Sequence, residues 1–145
     1  MLNYLTCLRF DNSTLLVLYI AFMSKSTLIL GASTKPSRYA YLASERLQEE
    51  GHEVIALGKR QGDTAGIPIH DNPDTLSLPE DLDTVTLYLN PQRQEEYYDW
   101  LIKLKPKRVI FNPGTENMEL ADKLREAGIE AVFACTLVML ASRMY

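Results

Sequence analysis

The apolar run Thr27 to Leu30 stops at Gly31, a hydroxyl- and cation-bearing stretch follows through Arg38, and apolar residues then recur at 40, 43 and 47. A short apolar run bounded by glycine reads as a buried strand, and the recurrence reads as one face of a helix over Tyr39 to Glu50. The same grammar repeats down the chain. Gly51 stands where the left-handed residue after a helix belongs, and Glu53 to Leu57 is the next strand. Val85 to Leu89 is a strand rich in apolar and β-branched residues. Asn90 and Pro91 then suit the N-cap and first position of a helix that runs to about Leu104, before Pro106. Arg108 to Phe111 is a strand, and Asn117 caps a helix carrying Leu120, Leu124 and Ala127 that Gly128 closes. Glu130 to Ala134 is the last strand, followed by a short helix from Thr136. Residues 58–83 hold Gly58, Gly62, Gly66, Pro68, Pro73 and Pro79, which predicts loop with a short edge strand at Ile67 to Ile69 and one helical turn at Pro73 to Leu76.

Strands alternating with helices predict an α/β chain: a Rossmann-like, doubly wound parallel sheet in three α/β/α layers. Right-handed crossovers give an expected strand order 3-2-1-4-5-6, with the short strand near Ile67 at the edge. A length of 145 residues, 46% of them hydrophobic, suits one domain with a core of its own. We place that domain at 23–145. Residues 1–22 read differently from the rest. Their apolar run Leu15 to Phe22 is too short to span a membrane, which takes roughly 20 residues. Met23 reads as the natural start, with the upstream stretch a non-native extension or disordered leader; a hydrophobic arm and a weak signal peptide are the alternatives.

A net charge of -4 gives no general attraction to nucleic acid or to an anionic membrane, so any anion site has to be local. Cys7 and Cys135 form no metal-spacing motif and no disulfide framework, which fits a reducing, cytoplasmic setting. His52 and His70 are too few for a metal cluster. His52 follows a helix end, where its charged form complements the dipole, and His70 beside Asp71 reads as a solvated loop histidine. The aromatic run through Tyr97, Tyr98 and Trp100 reads as core packing beside a solvated acidic face.

Ligands of such sheets bind beyond the carboxyl ends of the strands, at the switch point between the first strand and the fourth. Four loops meet there: 31–38, 58–62, 90–92 and 112–116. In the first, Gly31 allows a tight turn and a close ligand approach, Ser33, Thr34 and Ser37 add hydroxyls, and Lys35 or Arg38 adds charge. Amides at that helix start suit a phosphate, and the plainer alternative is a βα turn with a hydroxyl N-cap. The loop is neither G-x-G-x-x-G nor a P-loop, and the second strand ends Leu57-Gly58-Lys59-Arg60 rather than in an acid. Lys59 and Arg60 favour a phosphorylated ribose, as in NADP or in the 3′-phospho-ADP of CoA, against a solvated basic turn.

The run Leu28-Ile29-Leu30-Gly31-Ala32-Ser33, followed by Pro36 and Arg38, resembles the opening of the small CoA-binding-domain family, which is similar to the nucleotide domain of the succinyl-CoA synthetase alpha chain. The resemblance extends over roughly 26–136, through the strand at 85–89, the turn at 112–117 and the segment Arg125-Glu126-Ala127-Gly128. It implies a Rossmann-like fold and a CoA ligand lying across the crevice. Gly31, Ala32, Ser33, Pro36 and Arg38 would form the pyrophosphate loop, with Lys59 as the basic residue after the second strand. Asn90 and Pro91, Asn112 and Gly114, and Cys135 come from the neighbouring loops. Three positions depart from the family pattern: Leu57-Gly58 where Asn-Pro is common, Asn90 near a usual arginine, and Cys135-Thr136 where Cys-Pro is common.

The expected function is thus a non-catalytic CoA or acyl-CoA binding module, a sensor or a carrier, with no catalytic residues and no metal. One alternative is an NADP-dependent enzyme component acting with a partner chain. Another is an interaction module that has lost its nucleotide. A homodimer is expected on base rates for small doubly wound domains.

Overall fold

The computed structural model describes residues 11–145, so the first part of the expected leader, with Cys7, lies outside the described residues. Seven strands form one sheet: β1 (Ser26–Leu30), β2 (Glu53–Leu57), β3 (Gly62–Thr64), β4 (Ile67–His70), β5 (Thr84–Leu87), β6 (Arg108–Phe111) and β7 (Glu130–Phe133). Their order is β3-β4-β2-β1-β5-β6-β7. Every neighbouring pair is parallel except β3 and β4. The expected order holds from the Ile67 strand onward, and the sheet adds one antiparallel strand outside it. That strand, β3, was expected as loop. Its hairpin turns on Ala65 and Gly66, both at positive φ (50° and 83°), and a two-residue turn with two positive φ values matches the twist of paired strands. The side chain of Asp63 accepts from the Gly66 amide at 3.1 Å.

Strand β1 shows why the sheet needs cover on both faces. Leu28 and Leu30 join one core cluster with Leu101, Leu120 and Leu124, whereas Ile29 joins the other with Ala40, Leu47 and Leu140. Alternate side chains on one strand point to opposite faces, so both are packed by helices. Helices α2 (Tyr39–Glu49) and α6 (Thr136–Ala141) cover one face, and α4 (Tyr98–Leu104) and α5 (Met118–Glu126) cover the other. The packed aromatic run agrees: Tyr97, Tyr98 and Trp100 lie against the larger cluster.

Two local expectations are corrected. The strand at 85–89 leaves the ladder after Leu87; Tyr88 donates to the Leu30 carbonyl at 2.8 Å and carries the chain toward the crevice. The helix expected from Pro91 to about Leu104 is broken into α3 (Pro91–Gln94), a 3₁₀ turn (Glu95–Tyr97) and α4. Gln94 explains the break. Its buried amide donates to the carbonyls of Leu89 and Thr115, each at 2.8 Å, and its oxygen accepts from Asn117 at 3.0 Å. Those bonds anchor α3 to the 112–117 turn, and the chain passes through the tighter 3₁₀ turn before α4 begins.

The helix α1 (Asn12–Met23) precedes β1 and buries none of its residues; its large apolar side chains, Leu15 to Ile20 and Phe22, stand exposed. Among the described residues no helix is long and apolar enough to cross a membrane.

Candidate functional site

Crossovers from β1 and β5 run to opposite sides of the sheet, so the chain parts between their carboxyl ends and opens a crevice of about 450 Å³. Gly31 makes the opening turn. Its φ is +98°, and a Cβ there would lie 2.9 Å from the carbonyl carbon and oxygen of Tyr88. The amides of Gly31 and Ala32 both donate to the Leu57 carbonyl, at 2.9 and 3.0 Å, which ties the loop to the end of β2. Gly58 makes that approach possible, because a Cβ on it would meet the Ala32 carbonyl oxygen at 2.6 Å. On the far side, Thr34 packs its methyl over Gly62 of β3.

The loop then enters α2 with Arg38 at the N-cap and no side chain bonded across the first turn. The expected alternative, a hydroxyl N-cap, does not occur. Lys35 N–H bonds to Ser33 Oγ at 3.2 Å and Arg38 N–H to the Lys35 carbonyl at 3.0 Å. The amides of Ser33, Thr34, Tyr39 and Ala40 have no acceptor among the described residues, and all four residues line the crevice. Unsatisfied amides at a helix start concentrate partial positive charge and attract anions.

Side chains reinforce that field. Lys35, Arg38, Lys59, Arg60 and Arg93 all line the crevice, and among the described residues no carboxylate does. None of the five takes part in an ion pair among the described residues. On a chain of net charge -4 this is a strong local inversion.

Of the expected site residues, Gly31, Ala32, Ser33, Thr34, Arg38, Lys59, Arg60, Asn90 and Gly114 converge on the crevice. Pro36, Ser37, Pro91, Asn112 and Cys135 do not line it. Pro91 starts α3, and Asn90 caps it by accepting from the Arg93 amide at 3.0 Å. Asn112 is buried and fully engaged: it donates to Thr86 Oγ1 at 2.7 Å and to the Leu87 carbonyl at 2.9 Å, and it accepts from the Thr136 amide at 2.8 Å. It joins β5 and β6 to the start of α6. Cys135 is a half-buried free thiol at the N-cap of α6.

Arg93, Tyr39 and Tyr88 also line the crevice and were not expected there, and Thr115 joins them from the 112–116 loop. Arg93 had a readable signal, since a capped helix start after β5 turns its third residue back toward the strand ends. Tyr88 puts its hydroxyl in a buried place without a hydrogen-bond partner among the described residues, and burial holds the phenol well above its usual pKa, so it stays protonated. Among the described residues no group of three or more His, Cys, Asp or Glu is placed to hold a metal.

A family model described as a CoA binding domain matches residues 25–141. Among curated proteins none matches the chain. Solved structures do. A crystal structure of an uncharacterized protein shares 52% identity over 84% of this chain and 98% of its own, with a TM-score of 0.79. A Thermus thermophilus protein shares 25% identity over 93% of this chain and 100% of its own, with a TM-score of 0.74. A hypothetical protein from Pyrococcus horikoshii OT3 shares 29% identity over 88% of this chain and 89% of its own, with a TM-score of 0.72.

Proposed function

The chain belongs to the CoA-binding-domain family, and from that premise we propose that the crevice binds CoA or an acyl-CoA as a non-catalytic sensor or carrier site. The observation that carries this reading is the convergence of five cations, without carboxylate partners among the described residues, on the free amides of loop 31–38 and the start of α2. The ligand part that suits such a site is polyanionic and planar-ended, as 3′-phospho-ADP is. The pyrophosphate sits over the amides of Ser33, Thr34, Tyr39 and Ala40, with Arg38 and Arg93 alongside. Lys59 and Arg60, just past β2, take the phosphate on the ribose.

Two departures from the family pattern acquire a physical sense in this geometry. Gly58 leaves room for the Ala32 carbonyl, and Arg93 supplies the guanidinium that Asn90 does not. The basic pair after β2 would equally suit the 2′-phosphate of NADP, and this keeps an NADP-dependent component as the second reading. Titration calorimetry separates them. CoA and acetyl-CoA should bind at one site with similar affinity, and dephospho-CoA more weakly. Tighter binding of NADPH than of CoA would transfer the site to the second reading, and equal binding of dephospho-CoA would remove Lys59 and Arg60 from it.

A further inference from the structure

At the other pole of the sheet, away from the crevice, five segments meet around Tyr145. Its hydroxyl bonds Thr27 Oγ1 of β1, and its main-chain oxygen accepts from Lys25 Nζ at 2.8 Å. Its ring lies 4.6 Å from the Arg108 guanidinium, 5.3 Å from Lys25 Nζ and 4.9 Å from the His52 ring. The ring also closes the smaller core cluster, with Ile29, Ala40, Leu47 and Leu140. His52 Nδ1 accepts from the Lys25 main-chain N–H at 3.1 Å. That bond needs a bare Nδ1, so His52 is neutral with its proton on Nε2. This corrects the expectation that His52 serves α2 as a cation.

We propose that His52 and Tyr145 form a proton-sensitive latch, in which protonation of His52 releases Tyr145 from the amino-terminal edge of the sheet. A proton on Nδ1 sets two donors against each other and breaks the bond to Lys25. It also places a cation beside Lys25 and Arg108, which already crowd the Tyr145 ring from two sides. The remaining charged groups facing His52 are Glu50 at the end of α2 and Asp83 before β5, and both favour the cation. Asp83 is shared with Arg108 and Lys107, each at 3.8 Å, which weakens that attraction. Burial and then Lys25 hold the His52 pKa below the ordinary 6.5. The sign follows: the unfolded chain takes up the proton first, so the latch is fully engaged above pH 6.5 and is lost as the pH falls through the lower folded value.

The test is an NMR titration of the whole protein from pH 8 to pH 5, following the His52 and Tyr145 ring protons and the Trp100 indole N–H in the other helical layer. The latch predicts that the Tyr145 ring signals move with the His52 midpoint, below 6.5, while the Trp100 signal stays in place. His52→Asn, which keeps an acceptor near Nδ1 but cannot take the proton, should leave the Tyr145 signals flat. Tyr145 signals that ignore the His52 midpoint, a Trp100 signal that moves with it, or a transition that survives in His52→Asn would each overturn the latch.

Discussion

Arg38 and Arg93 reach the crevice from opposite walls, one at the N-cap of α2 and the other in the first turn of α3. Among the described residues neither guanidinium pairs with a carboxylate, so each is available for charge-assisted bonds to phosphate. Arg38→Ala and Arg93→Ala should each weaken CoA binding by roughly 1–3 kcal/mol, read by calorimetry, with the melting temperature little changed. Unchanged affinity would remove that arginine from the site. Gly58 acts differently, through the backbone. With only 2.6 Å between a Cβ there and the Ala32 carbonyl oxygen, Gly58→Ala has to push loop 31–38 outward. We expect a loss of stability of about 1–3 kcal/mol in thermal denaturation, together with weaker CoA binding.

At the scale of elements, the β3–β4 hairpin is the part of the fold that sequence patterning concealed. It supports the site, because Thr34 packs on Gly62 while Thr64 bonds Ser44 of α2 at 2.9 Å and Ala65 accepts from Gln48 at 3.0 Å. Gly62-Asp63-Thr64 has too few apolar residues to show alternation, and Ala65-Gly66 is not the Asn-Gly or Asp-Gly pair that marks this turn. Ala65 sits at a positive φ of 50° that Asn tolerates better. Ala65→Asn should therefore stabilise the protein by up to about 1 kcal/mol in denaturant melts, and a destabilised variant would mean the turn is not under this strain. The other strands were legible because each carries a short run of apolar or β-branched residues, and the helix starts were legible because Asn90 and Asn117 cap them through their side chains. The break after Gln94 was not legible, since it depends on carbonyls brought near only by folding. The same holds for the site. The glycine turn, the cations after β2 and the start of α2 can be read in order along the chain. Arg93, Tyr88 and the structural role of Asn112 follow from strand ends that lie far apart in sequence.

Across the whole molecule, charge and topology agree on one place. A parallel sheet that reverses its crossovers between β1 and β5 must open there, and a third of the chain's 15 Lys and Arg residues gather around that opening. The chain's net charge is -4, so under the proposed function these local cations attract the CoA polyanion, and its affinity should fall as salt rises. The most direct test is the melting temperature of the protein with CoA, acetyl-CoA, NADPH, NADH and ATP in turn. At about 100 times its dissociation constant, CoA should add about 2.7 kcal/mol, a rise on the order of 10 °C for a domain of this size. A rise with CoA and acetyl-CoA that NADPH, NADH and ATP do not match is the predicted result. A rise with NADPH alone, or with none of them, would contradict the account, the last outcome leaving an interaction module that keeps the fold without the nucleotide.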